Sequence, residues 1–197
     1  MFGLPASQNS SGYSGSDSYR HIEKLIKGSG SSLKVVTPFI SEYYSRMLFE
    51  ASKRKSVYVI VSRRKGATTG RSQRAAIDFL ESKAKKVRLK PVLALAALTA
   101  VVFSMRYYSA ALLLFALTAL AAYLSFFSRL GMPRLHLKVS DGPFIHEKLY
   151  ITEDTAIVGS ANLTYSGMHR NIEHIEIIKD RSRIRELSSH FDRLWVS

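Results

Sequence analysis

The chain has 197 residues, enough for one domain or for one domain carrying an insertion. Hydrophobic residues make up 46%, which supports a buried core and excludes global disorder; the lack of cysteine excludes disulfides, thiol nucleophiles and cysteine-ligated metals. Lys and Arg number 29 against 15 Asp and Glu, so the net charge is +14 and the partners to expect are anionic.

Residues 1–17 are Ser/Gly-rich, with no basic residue before Arg20 and no apolar run of seven or more before Leu33, so they read as a flexible tail. Asp17 or Ser18 can cap a helix running to Lys27, with Ile22, Leu25 and Ile26 on one face. Residues 33–39 (LKVVTPF) read as a strand, 41–53 as a helix, and 56–62 (SVYVIVS) as a strand buried on both faces. A basic loop follows at 63–70, then a helix at 71–85 with Ala76, Phe79 and Leu80 inward, and a short strand at 87–89. Beyond residue 130 the pattern predicts strands at 135–139, 144–152, 155–158 and 172–178. It adds a helical turn within 162–168 and a closing helix at 180–195 with Asp180 as its cap. Strands alternating with helices predict an α/β fold, a mixed sheet flanked by helices.

Two basic groups account for the excess charge. Residues 51–77 hold Lys53, Arg54, Lys55, Arg63, Arg64, Lys65, Arg71 and Arg74 with no acid. The second group, at 83–90 and 129–138, brackets the most apolar stretch of the chain. From 91 to 127 the one charged side chain is Arg106. As a single helix this run would reach ~54 Å, beyond a hydrocarbon core of about 30 Å, with Arg106 at its centre. Two antiparallel limbs, 91–105 and 110–127, remove both problems and leave Arg106, Tyr107, Tyr108 and Ser109 as the tip. Limbs of about 22 and 27 Å either cross a thin bilayer or dip into one. Sheet-forming segments lie on both sides, so an even number of crossings is required, and the basic flanks place both ends in the cytoplasm. The alternative is a buried helical hairpin in a soluble oligomer. The domain reading is therefore a tail at 1–17, one domain in two parts at 18–90 and 131–197, and a membrane hairpin at 91–130.

The chemistry gathers after the insertion. In a strand, His146 and Lys148 project to one face, and Ser160 and Asn162 repeat that spacing just past Gly159. A hairpin turning at Glu153-Asp154 brings the two pairs onto one surface. Imidazole, ammonium, hydroxyl and carboxamide together suit a phosphodiester: the imidazole attacks phosphorus while the donors hold the phosphoryl oxygens. A second His-x-Lys, His136-Leu-Lys138, has no such Gly-Ser-x-Asn element at hairpin distance and reads as a strand with outward polar residues.

The long form, His146-x-Lys148, ten residues, then Gly159-Ser160-x-Asn162, resembles the phospholipase D superfamily of HKD phosphodiesterases. Asn171-Ile-Glu173 is similar to the family's Asn-x-Glu, and 191–195 (FDRLW) to the end of a family domain; 35–40 and 57–62 resemble its opening β-α-β. The likeness covers about 18–90 and 132–197 and leaves the hairpin outside. The family aspartate, five residues past the lysine, falls on Glu153, with Asp154 next; which of the two is equivalent stays open.

The resemblance implies a phospholipase D-like fold, and roles for five residues. His146 is the nucleophile of a phosphohistidine intermediate, and Glu173 accepts from its other ring nitrogen. Lys148, Ser160 and Asn162 hold phosphoryl oxygens, with no metal and no cofactor. The leaving oxygen needs a second histidine, and one motif per chain implies a homodimer with His146 of each copy facing the other. His21, His136, His169, His174 and His190 read as structural or surface residues. Two substrates fit: a phospholipid reached from a bilayer held by 91–127, slightly favoured, or a nucleic acid tracked by Arg63, Arg64, Lys65 and Arg71. A non-catalytic binding module is the third reading.

Overall fold

The computed structural model describes residues 10–62, 70–84, 134–142 and 144–197, with scattered positions between 97 and 123. By contacts the chain divides into two compact units, Met1–Ala84 with Pro133–Ser197, and Lys85–Met132.

The first unit runs β1 (Ser10–Gly15), α1 (Tyr19–Lys27), β2 (Ser32–Thr37), α2 (Glu42–Ser52), β3 (Ser56–Ser62), α3 (Arg71–Lys83) and β4 (Leu135–Ser140). It continues with β5 (Leu149–Ile151), β6 (Ala156–Gly159), α4 (Tyr165–His169), β7 (Glu173–Ile178) and α5 (Arg181–Val196). The strands form one sheet in the order β1-β7-β6-β5-β2-β3-β4. β2, β3 and β4 are parallel to one another, and β5, β6, β7 and β1 join antiparallel. The mixed sheet flanked by helices is the architecture the sequence predicts.

Period-2 alternation sends each strand's side chains to two cores. Leu33 and Val35 of β2, with Val57, Val59 and Val61 of β3, pack with Ile22 and Ile26 of α1, Tyr44 and Leu48 of α2, and Ile77 and Leu80 of α3. Val36 and Ile60 face the other way and pack with Leu149, Ile151, Ile184 and Phe191 beneath α5. Because helices cover both faces, β3 (SVYVIVS) is apolar between its terminal serines rather than alternating. Burying one such Val, Leu or Ile side chain contributes about 1.5–3 kcal/mol. Asp180 caps α5 by accepting from the Arg183 N–H at 2.8 Å. The far end of α5 is held by Lys138, whose Nζ donates to Leu194 O at 2.8 Å and Trp195 O at 3.1 Å. His136 stacks on Tyr58 with ring centroids 4.6 Å apart, so the second His-x-Lys serves packing and capping.

Two expectations change. Ser10–Gly15, expected within a flexible tail, is an edge strand in register with β7 from Ser10↔Ile178 to Gly15↔Glu173. Its pairing is made by backbone, and Tyr13 is its side chain that reaches the core, 4.9 Å from the His21 ring. The strand expected at 144–152 is regular only from Leu149 to Ile151. Its partner β2 stops at Thr37, and Pro38 has no N–H to extend the ladder. The short strand at 87–89 lies outside the described residues. For the hairpin, no helix among the described residues is long and apolar enough to cross a membrane. Within the second unit, residues 114–120 are helical, and Thr99 Oγ1 lies 3.4 Å from Thr118 Oγ1. The expected tip at 106–109 is not described.

Candidate active site

Antiparallel pairing decides where the functional side chains meet. The start of β5, the end of β6 and the start of β7 share one edge of the sheet, which gathers Lys148, Ser160 and Glu173. The ends of β2 and β3 lie at the same edge, because Ser62 bonds to Ile145. The backbone ties the loops together: Gly159 N–H donates to Lys148 O at 3.3 Å and Ser160 N–H to His174 O at 2.9 Å.

His146 is exposed, and its Nε2 lies 3.0 Å from Lys148 Nζ. An ammonium only donates, so Nε2 is the acceptor there, its lone pair directed at Nζ, with the ring proton on Nδ1. The same ammonium donates to His146 O at 2.8 Å, leaving one N–H for another acceptor. Lys148 is buried, and burial pushes its pKa down while the Glu173 carboxylate pushes it up. The sign has a consequence for any activity that needs the ammonium. That activity is expected to fall, as pH rises, below the ordinary lysine value of 10.5. Glu173→Gln removes the opposing charge and moves this basic limb lower still. A pH profile of kcat/KM for both proteins checks it; a limb that rises in the variant contradicts the assignment.

Glu173 is buried and has both oxygens engaged. Ser160 Oγ donates to Oε2 in a short hydrogen bond, and Asn171 Nδ2 donates to Oε1 at 3.1 Å. The sequence reading has Glu173 accepting from the His146 ring; here Ser160 and Asn171 take that place, and Glu173 acts on Lys148 through its charge. Ser160 Oγ also accepts the His174 N–H at 3.1 Å, so Ser160 bridges the loop after β6 to β7. Asn162 follows in that loop. Its main-chain oxygen accepts from Thr164 N–H at 2.7 Å, and its Oδ1 is buried without a partner. Such an orphan amide oxygen costs stability and marks a side chain kept for something other than packing.

Two buried groups hold the floor. Tyr150 OH donates to Ala161 O at 2.8 Å, and burial pushes its phenol pKa far up. Thr37 Oγ1 accepts from Leu163 N–H at 3.2 Å and donates to Phe39 O at 2.8 Å.

Glu153 and Asp154 stand at the opposite edge of the sheet, in the turn between β5 and β6. Burial opposes the charge on Glu153, but hydrogen bonds led by Ser31 Oγ at 2.5 Å, with Ser32 Oγ at 2.9 Å, hold its pKa below the ordinary value. Asp154 accepts from Thr152 Oγ1 at 2.8 Å. Both acids shape the turn, and neither touches His146. A cavity of about 600 Å³ opens at this remote edge, lined by Lys24, Lys55 and Glu153 among others, and it shares no residue with the His146 cluster.

The sheet also splits the basic block at 51–77. Lys53 pairs with Glu50 at 2.7 Å, and Lys55 is buried against Gly28 O at 2.7 Å, both at the remote edge. Arg71 opens α3, and Gln73 Nε2 pins that turn to Pro38 O at 3.0 Å and Ser62 O at 3.3 Å, on the edge that carries the site. Arg63, Arg64 and Lys65 lie outside the described residues. Among the histidines, His174 turns away from Glu173 to Ser14 Oγ at 2.7 Å. His169 packs between Tyr19 and Tyr165. Spacing gives no warning of Ser62, or of His190, which meets Glu147 at 2.8 Å.

A family model described as "Cardiolipin synthase, PLD-like domain" matches residues 22–195. Among solved structures, Nuc from Salmonella typhimurium, described as a phospholipase D family member, is similar at 17% identity and a TM-score of 0.58, with 95% of each chain covered. NucT from Helicobacter pylori is similar at 14% identity and a TM-score of 0.56, over 95% of this chain and 96% of that one. No curated protein matches the chain.

Proposed function

This chain belongs to the phospholipase D-like family of phosphodiesterases, and from that premise we propose that it cleaves a phosphodiester, a phospholipid first, through a phosphohistidine on His146 in a homodimer. The observation that carries the reading is the 3.0 Å contact that leaves His146 Nε2 with its lone pair and sets an ammonium beside it.

In the first step Nε2 attacks phosphorus, an N–P bond forms, and the P–O bond to the leaving alcohol breaks. Lys148 moves its hydrogen bond from Nε2 to a phosphoryl oxygen, freeing the lone pair and stabilising the charge that builds there. Asn162 offers its amide N–H to the same group, and Ser160 holds Glu173 in place. The leaving oxygen takes a proton from His146 of the second copy. Water then gives that proton back as it attacks phosphorus, and the N–P bond breaks. A second copy also suits the surface beside the site, where Ile172 is 85% exposed next to Glu173.

The apolar run at 91–127 supports the lipid reading. In the described part of that unit, Leu112 is 74% exposed and Phe115 66%, an apolar helix face suited to hydrocarbon. Its basic flanks favour a catalytic unit on the cytoplasmic side, by the positive-inside tendency. Arg71 supports a second reading, a membrane-tethered endonuclease, because it stands at the site's edge, where a phosphate backbone would enter.

One competition assay in EDTA separates them. Protein in liposomes of mixed anionic and zwitterionic lipids meets labelled single- and double-stranded oligonucleotides, with His146→Ala in parallel. Headgroup release that requires His146 is the expected result. Oligonucleotide cleavage without headgroup release makes the protein a nuclease, and neither product would end the phosphodiesterase proposal.

A further inference from the structure

The segment that carries His146 is not part of the sheet: residues 144–148 precede β5 without strand pairing. Two side chains from distant elements hold it, one on each side of the histidine. Ser62, the last residue of β3, is 2% exposed. Its Oγ accepts the Ile145 N–H at 3.2 Å and donates to Ile145 O at 3.1 Å. One hydroxyl thus satisfies both main-chain groups of a single residue, as a neighbouring strand would. After His146, the Glu147 carboxylate accepts from His190 Nε2 at 2.8 Å; a carboxylate cannot donate, so that nitrogen carries its proton. His190 comes from α5, where the adjacent Phe191 is buried in the second core, so the helix supplies a rigid post.

We infer that Ser62 and His190 are positioning residues for the nucleophile, fixing the main chain at Ile145 and Glu147 so that the exposed His146 imidazole keeps its attack direction. The inference rests on the proposal that His146 attacks phosphorus. Its physical ground is the steep dependence of a displacement on geometry, where a misplacement of about 1 Å costs about 100-fold in rate. The Glu147–His190 pair is about one-third to one-half exposed, so it adds little to stability. What it holds is orientation, and its loss belongs in kcat rather than in KM or melting temperature.

The test uses full-length protein and bis(4-nitrophenyl) phosphate, with His146→Ala as reference. Glu147→Ala and His190→Ala are each expected to lower kcat by about 10-fold, and the double variant no further, with KM and melting temperature unchanged. Ser62→Ala lowers kcat by a similar factor, and Ser62→Thr, which keeps the hydroxyl, recovers it. Multiplying losses in the double variant, or a lowered melting temperature that accounts for them, overturn the positioning role. So does full activity in Glu147→Ala and His190→Ala while His146→Ala is inactive, and that outcome leaves the nucleophile standing. An active His146→Ala overturns the underlying mechanism instead.

Discussion

Alanine at His146 is expected to abolish turnover, by about 1000-fold or more, and to leave the fold intact. The size follows from the role: without the imidazole there is no lone pair to form the N–P bond, and the remaining donors act only on a charge that no longer develops. The harmless part follows from burial. His146 is exposed, and among the described residues its side chain meets the Lys148 ammonium and the Phe144 ring, 5.8 Å away between centroids. Little apolar surface is lost, so the melting temperature stays within a degree or two of the parent. Turnover of a chromogenic phosphodiester and a thermal melt on the same sample check both halves. Retained turnover would remove His146 from the mechanism.

Gly159→Ala is expected to be the most damaging small substitution in the catalytic unit. A Cβ there would lie 2.2 Å from His174 O, 2.8 Å from Ile175 Cα and 3.0 Å from Ile175 Cγ2. Two of these atoms are backbone of the paired strand, so β6 and β7 must separate. Overpacking of this kind costs about 3 kcal/mol, which for a chain of this size lowers the melting temperature by roughly 6–12 °C. The same separation pulls Ser160 from His174, to which it is bonded by both its N–H and its Oγ, and so unseats Glu173. Activity and stability should fall together. Gly142→Ala is the control, because nothing lies within 4 Å of its added Cβ. Equal melts for the two variants would show that the strands yield at no cost.

Where side chains carry the signal, the sequence reading and the structure agree. β3 spans the apolar run 56–62, and α5 starts after its Asp180 cap, because burial on two faces and capping are written in residue types. β1 escaped because its pairing is made of backbone groups that any residue owns. The strand expected from residue 144 starts only at Leu149, because pairing depends on a partner and β2 ends at Thr37, before Pro38. The site divides likewise. His146, Lys148, Ser160 and Asn162 stand out through local spacing. The partners of Glu173 depend on a loop and two strands converging, and Ser62 and His190 reach the nucleophile segment from 83 and 43 positions away. No local pattern can show contacts of that span.

The second unit enters where most α/β folds have a short turn from helix to strand. α3 ends at the remote edge of the sheet, where Lys83 sits over the Phe49 ring, and β4 begins there, with Arg134 N–H bonded to Ser52 O at 2.8 Å. Joining α3 to β4 through roughly fifty residues instead of about four costs at most about 2 kcal/mol, since closure entropy grows with the logarithm of length. That modest penalty falls on one joint and spares the strands that carry the chemistry. Selection could therefore lengthen, shorten or recode the inserted segment without renegotiating the catalytic framework.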